Sequence, residues 1–164
     1  VGYTGLDSDF MLNYIRKLAI DFGADIVDVL ENSRCLSADV SAAYDPTFPD
    51  AYEAQNSTFV NRGVALTKYT GARGKSGTND ATAEMMAYVM GLMDEAGVVW
   101  QTGELGKVDQ GGGGTVALMI SKLGVDTVDI GVPVLSMHAP FEVTSKADVY
   151  NTYRAFAAFA NSNR

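Results

Sequence analysis

One feature constrains the fold of this chain more than any other. Stretches of helical period alternate with short apolar runs at the distances of βαβ units. "TGLDSDFMLNYIRKLAIDFG" places Phe10, Tyr14, Leu18 and Phe22 at i, i+4 spacing, with Asp7 or Ser8 as N-cap and Gly23 as the stop. "DATAEMMAYVMGLMDEAG" is a second helix: Asn79 or Asp80 caps it, Met86, Val89, Met90 and Met93 form its apolar stripe, and Gly97 ends it. "TVALMISKLG" reads as a short helix. "TSKADVYNTYRAFAAFAN" is the last one, with Ser145 and Asp148 as a capping box and Val149, Tyr153, Phe156 and Ala160 on one face.

Between them lie the strand candidates "RCLSADV" (34–40, ending at Asp39), "GVALTKYT" (63–70), "VVWQTG", and one or two segments in "TVDIGVPVLSMH". The expectation is a single α/β domain over 1–164. It has a mixed, largely parallel sheet flanked by helices on both faces. "SAAYDPTFPDAYEAQNSTF", "GARGKSGTND" and "GELGKVDQGGGG" read as loops.

Composition narrows the function. The formal net charge is −8, which argues against nucleic-acid and membrane-surface binding, because both need a basic face. The acidity fits plain solubility and fits a metal-holding cleft equally. Cys35 is the only cysteine, so no internal disulfide is possible. A reduced, cytoplasmic setting is expected, with no membrane span and no signal peptide.

"GARGKS" fails as a phosphate loop. The first glycine of that motif would fall at Tyr69. The segment is a flexible turn, or a loop whose Lys68, Arg73 or Lys75 meets an anionic group. The glycines of "VDQGGGGT" (108–115) precede a helix. They serve as a backbone platform for a substrate beside Asp109, or as close packing of helix on strand. Asp39 and His138 each follow an apolar run, where ligand sites of α/β sheets gather. A carboxylate and an imidazole suit Zn²⁺, Co²⁺ or Mn²⁺. His138, the only histidine, is a metal ligand or a buried ring with a hydrogen-bond partner.

Four segments, "LSADVSAAYDP", "TKYTGARGKSGTNDATAE", "GELGKVDQGGGGT" and "GVPVLSMHAPFEVTSKADVY", resemble the aspartyl aminopeptidase (aminopeptidase I) family of zinc exopeptidases. The resemblance implies the C-terminal portion of a phosphorylase/hydrolase-like catalytic domain with two zinc ions. It makes Asp39 a ligand of one metal and His138 a ligand of the other. It places Lys68 against an acidic substrate side chain, and Asp109, Gly111 and Gly112 in the substrate pocket. Two departures weaken an acidic preference: Ala42 stands where such members carry a histidine, and Ser76 falls where they carry a tyrosine.

The same resemblance places the family's general-base glutamate and its other metal ligands upstream of Val1, before "VGYTG". The family's dimerisation domain lies upstream as well. The resemblance therefore implies that this chain alone is inactive. The expected partners are a peptide substrate and a homo-oligomer or a complementary N-terminal segment. The alternative is a folded module that binds peptide or a partner chain without chemistry.

Overall fold

A computed structural model describes residues 2–73, 75–107 and 109–162. Helix α1 (Asp9–Asp21) starts at Ser8, whose side chain accepts from the Phe10 N–H, and Gly23 follows it at φ +66°. A short α2 (Ile26–Glu31), capped by Asp25, was not expected from the sequence. Strand β1 (Arg34–Ala42) follows, then a 3₁₀ turn at Pro49–Ala51 inside the long loop, then β2 (Val64–Thr67). Next come α3 (Ala83–Glu95), β3 (Trp100–Thr102), α4 (Ala117–Ser121), β4 (Asp126–Leu135), β5 (Val143–Thr144) and α5 (Lys146–Ala160).

The sheet is mixed, in the order β1-β4-β2-β3, with β5 attached to β4. β1 runs parallel to β4 and β3 parallel to β2, while β2 and β5 run antiparallel to β4. Its two faces differ in chemistry. Successive strand residues point to opposite sides. Leu36, Val64, Leu66, Val128 and Ile130 therefore share one face, and α3 and α5 cover it. Met85, Met86, Val89 and Met93 of α3 are buried there, so the expected stripe is right but shifted to include Met85. The opposite face carries Ser37, Asp39, Ser41, Thr67, Thr127 and Asp129. A smaller apolar cluster of Leu30, Ile120 and Val125 covers part of that side, with Met11, Leu12 and Cys35 against it.

Several expectations are corrected. β1 does not end at Asp39 but runs on to Ala42, because its pairing with β4 continues as far as Val134. α3 is capped by Thr82, whose hydroxyl accepts from the Met85 N–H, rather than by Asn79 or Asp80. Asn79 instead donates to the Thr127 carbonyl, and Asp80 pairs with lysines. Ser145 caps α5, but Asp148 completes no capping box. It is buried and accepts from the backbone N–H groups of Asn61 and Gly63.

The α1 row Phe10, Tyr14, Leu18 and Phe22 faces outward, as do Val149 and Tyr153 of α5. The α1 residue buried against the domain is Ala19, and on α5 the buried pair is Asp148 and Ala155. Helical periodicity identifies a stripe but not what the stripe meets.

Candidate active site

A cleft of about 350 Å³ opens on the polar side of the sheet. β1 brings Asp39 to it, and the turn after β4 brings Met137 and His138. The glycine run contributes Gly112, Gly113 and Gly114, and Tyr52 closes one side. The cleft thus joins four segments that are distant in sequence.

Asp39 is exposed, and one of its oxygens, Oδ1, accepts from the Val40 N–H at 2.8 Å. Its neighbour across the ladder is Gly131. A Cβ at Gly131 would overlap the Asp39 carbonyl oxygen, so glycine is what lets β1 and β4 approach at this level. His138 is exposed too, which rules out the buried-ring reading. Both Ser136 and His138 have left-handed backbone, at φ +60° and +67°. Non-glycine residues adopt that region only when the surroundings impose it, and such strain clusters at functional sites. Here the Glu142 carboxylate accepts the His138 N–H at 2.5 Å, and the Ser136 carbonyl accepts the Ala139 N–H. Those bonds hold the turn that aims His138 at the cleft.

The glycine run divides between its two readings. Gly111 and Gly112 are needed for packing: a Cβ on either would collide with backbone, at Leu105–Lys107 for the first and at Thr70–Ala72 for the second. Gly113 and Gly114 are not crowded in this way and line the cleft. The N–H groups of Gly111 and Gly113 are taken by the carbonyls of Lys107 and Thr70. They are therefore not free donors, and α4 begins only after Val116.

Of the residues expected from the sequence, Asp39, His138 and Gly112 meet in this cleft, and Gly111 lies just behind it. Asp109 and Lys68 do not line it among the described residues. Asp109, at φ +63°, uses its carbonyl to accept from the Arg73 N–H and so ties two loops together. Lys68 forms an ion pair with Asp80, which Lys75 shares, and donates to the Ala81 carbonyl. Those lysines hold the Asp80 carboxyl below its usual range. Lys68 lines a separate recess with Glu104, whose carboxyl burial pushes up. Ala42 lines the main cleft, whereas Ser76 bridges to Ala72 within its own turn.

Sequence reasoning missed Asp129. It lies on the polar face beside Ser37, and Thr115 donates to it at 3.0 Å. Burial pushes its carboxyl up, and the Asp39 charge adds to the effect. The available signal was a charged residue inside the apolar run "TVDIGVPVL".

Carboxylate and imidazole are the right donor types for zinc. Among the described residues, however, no three His, Cys, Asp or Glu side chains stand close enough to close a metal site.

The sequence profile of the aminopeptidase I zinc metalloproteases (M18) matches residues 1–160. The chain belongs to the M18 family. A probable M18 family aminopeptidase 1 from Clostridium acetobutylicum is 46% identical over 166 residues, covering 99% of this chain and 36% of that protein. Its counterpart from Thermotoga maritima is 46% identical over 160 residues, with 94% and 36% covered. The crystal structure of the Thermotoga maritima M18 aminopeptidase superposes with a TM-score of 0.92 at 45% identity. It covers 96% of this chain and 36% of its own. Aminopeptidase I from Clostridium acetobutylicum gives 0.90 at 45% identity, with 99% and 35% covered. The α/β fold is thus that of M18 aminopeptidases. This chain spans about a third of the length of the relatives it matches. No helix among its described residues is long and apolar enough to cross a membrane.

Proposed function

We propose that this chain forms part of the catalytic domain of a two-zinc aminopeptidase, which removes N-terminal residues from peptides. The observation that carries the reading is the meeting of Asp39 and His138 at one cleft lined by open glycine backbone. Asp39 is assigned to one zinc and His138 to the other. When bound, such ions lower the pKa of coordinated water and polarise the scissile carbonyl. The chain's own part is to hold the ions from one side and to receive the peptide along Gly112–Gly114. Ala42 gives the cleft a small neutral wall, and Asp80 keeps Lys68 engaged elsewhere. Both support a neutral or broad preference for the N-terminal residue.

The described residues lining the cleft include no glutamate to serve as general base. That favours the second reading for the chain by itself: a folded module that binds peptide or a partner chain without chemistry. The test is a zinc titration of the 164-residue chain, followed by isothermal titration calorimetry, beside an assay for release of N-terminal residues. Weak zinc binding without turnover is expected. Asp39→Ala and His138→Ala should each weaken binding about tenfold or more. Turnover by the chain free of any longer enzyme would overturn the inactive reading. Unchanged zinc affinity in both variants would remove Asp39 and His138 as ligands.

The outward aromatic rows suggest partners. Phe10, Tyr14 and Phe22 on α1, and the stacked Tyr150 and Tyr153 on α5, are all exposed. Apolar surface of this kind belongs to interfaces. The chain is therefore assigned to a homo-oligomer or to pairing with a complementary segment. Sedimentation should show concentration-dependent association. A clean monomer at high concentration would exclude self-association through these rows.

A further inference from the structure

The central strand carries a carboxylate where an apolar residue is the rule. Asp129 lies midway along β4, with Ser37 beside it on β1 and Thr67 on β2. It is 4% exposed. Its Oδ1 is buried without a hydrogen-bond partner among the described residues, and Ser37 lies beside it without a hydrogen bond of ordinary geometry. Such a group is costly to bury, and an apolar residue of similar shape is often the more stable choice. Stability alone therefore does not account for it.

The hydrogen bond that Asp129 forms with Thr115 points to a role. Asp129 Oδ2 accepts from the hydroxyl of Thr115, the residue that ends the glycine run. Further back, the Gly113 N–H donates to the Thr70 carbonyl at 2.7 Å. The run is thus pinned to the body of the domain at Gly113 and at Thr115. Gly113, Gly114 and Thr115 all line the cleft that holds Asp39 and His138. Glycines lose more conformational freedom on ordering than any other residue, so a run of them keeps one shape only where it is held.

We propose that Asp129 is a positioning residue: through the Thr115 hydroxyl it fixes the glycine backbone against which a peptide lies in the Asp39–His138 cleft. The proposal rests on the reading of that cleft as a peptide site. Asp129 itself touches no reacting group.

The test is amide hydrogen exchange by NMR on the whole chain. Asp129→Leu and Thr115→Val should speed exchange of the Gly113 amide about tenfold, the scale of one lost hydrogen bond. Asp129→Asn keeps an acceptor and Thr115→Ser keeps the hydroxyl. Both should stay within about twofold of the parent on the same scale. Exchange of the Val128 and Ile130 amides is expected to be no faster in any variant. Unchanged Gly113 exchange in the Leu and Val variants would overturn the proposal. So would an acceleration shared equally by Val128 and Ile130, which would mark a purely structural role. If the Leu variant does not fold, the Thr115 pair decides the matter alone. The zinc titration reports on the metal reading separately, so failure of one is distinguishable from failure of the other.

Discussion

Gly131→Ala should cost this protein about 3 kcal/mol or more of stability. The new methyl group would occupy the place of the Asp39 carbonyl oxygen on the neighbouring strand. Backbone cannot swing aside as a flexible side chain can. Either β1 separates from β4 around Asp39, or both strands bend. The urea unfolding midpoint measures the loss, and failure to accumulate as folded protein is its extreme form. The same displacement moves Asp39, so zinc affinity should fall with stability. A midpoint equal to that of the parent would show that the strands are less closely apposed at this level than described.

Asp148→Ala should have an effect of similar size, about 3 kcal/mol, by a different route. Asp148 is 1% exposed and accepts from the Asn61 N–H at 2.6 Å and the Gly63 N–H at 2.7 Å. It stitches α5 to the turn that feeds β2. Truncation leaves two backbone donors without their acceptor, and Gly63 is itself buried. Asp148→Asn keeps one acceptor oxygen and should lose roughly half as much on the same scale. Thermal or urea unfolding of the two variants side by side gives the comparison. A loss under about 1 kcal/mol for Asp148→Ala would mean that other groups satisfy the turn.

These residues show what the sequence made legible. The helices α3 and α5 were readable because their signals are local: a small polar residue at the start, an apolar stripe, and for α3 Gly97 at the end. Six-residue α2 is too short to show a period, and β5 has only two residues, so neither stood out. Asp148 read as a capping residue because its spacing from Ser145 is right. Its actual partners, Asn61 and Gly63, are far away in the chain, and no local pattern points to them. The α1 aromatics formed a clear stripe, yet a stripe carries no information about which side meets the sheet.

The site divides in the same way. Asp39 and His138 stood out through their family motifs, and the structure brings them to one cleft. Lys68 and Asp109 were placed beside the substrate by the same resemblance; among the described residues neither lines that cleft, Lys68 pairing with Asp80 and the Asp109 carbonyl accepting from Arg73. Asp129 was passed over because one charge inside an apolar strand has no meaning until its neighbours on the adjoining strands are known.

The pairing of β1 with β4 has a consequence for how the cleft comes into being. Arg34 is matched with Asp126, and the register holds as far as Ala42 and Val134. About half of the chain must be looped out before those strands can join. Contacts of such long range form late and slowly, since the entropy of closing the loop is lost before any contact compensates for it. Asp39 and His138 stand on opposite sides of that closure. Neither half of the chain holds a partial site that could mature on its own. The cleft is in effect a report that folding has finished, and a substitution far from it that delays this one strand pairing delays the cleft by as much.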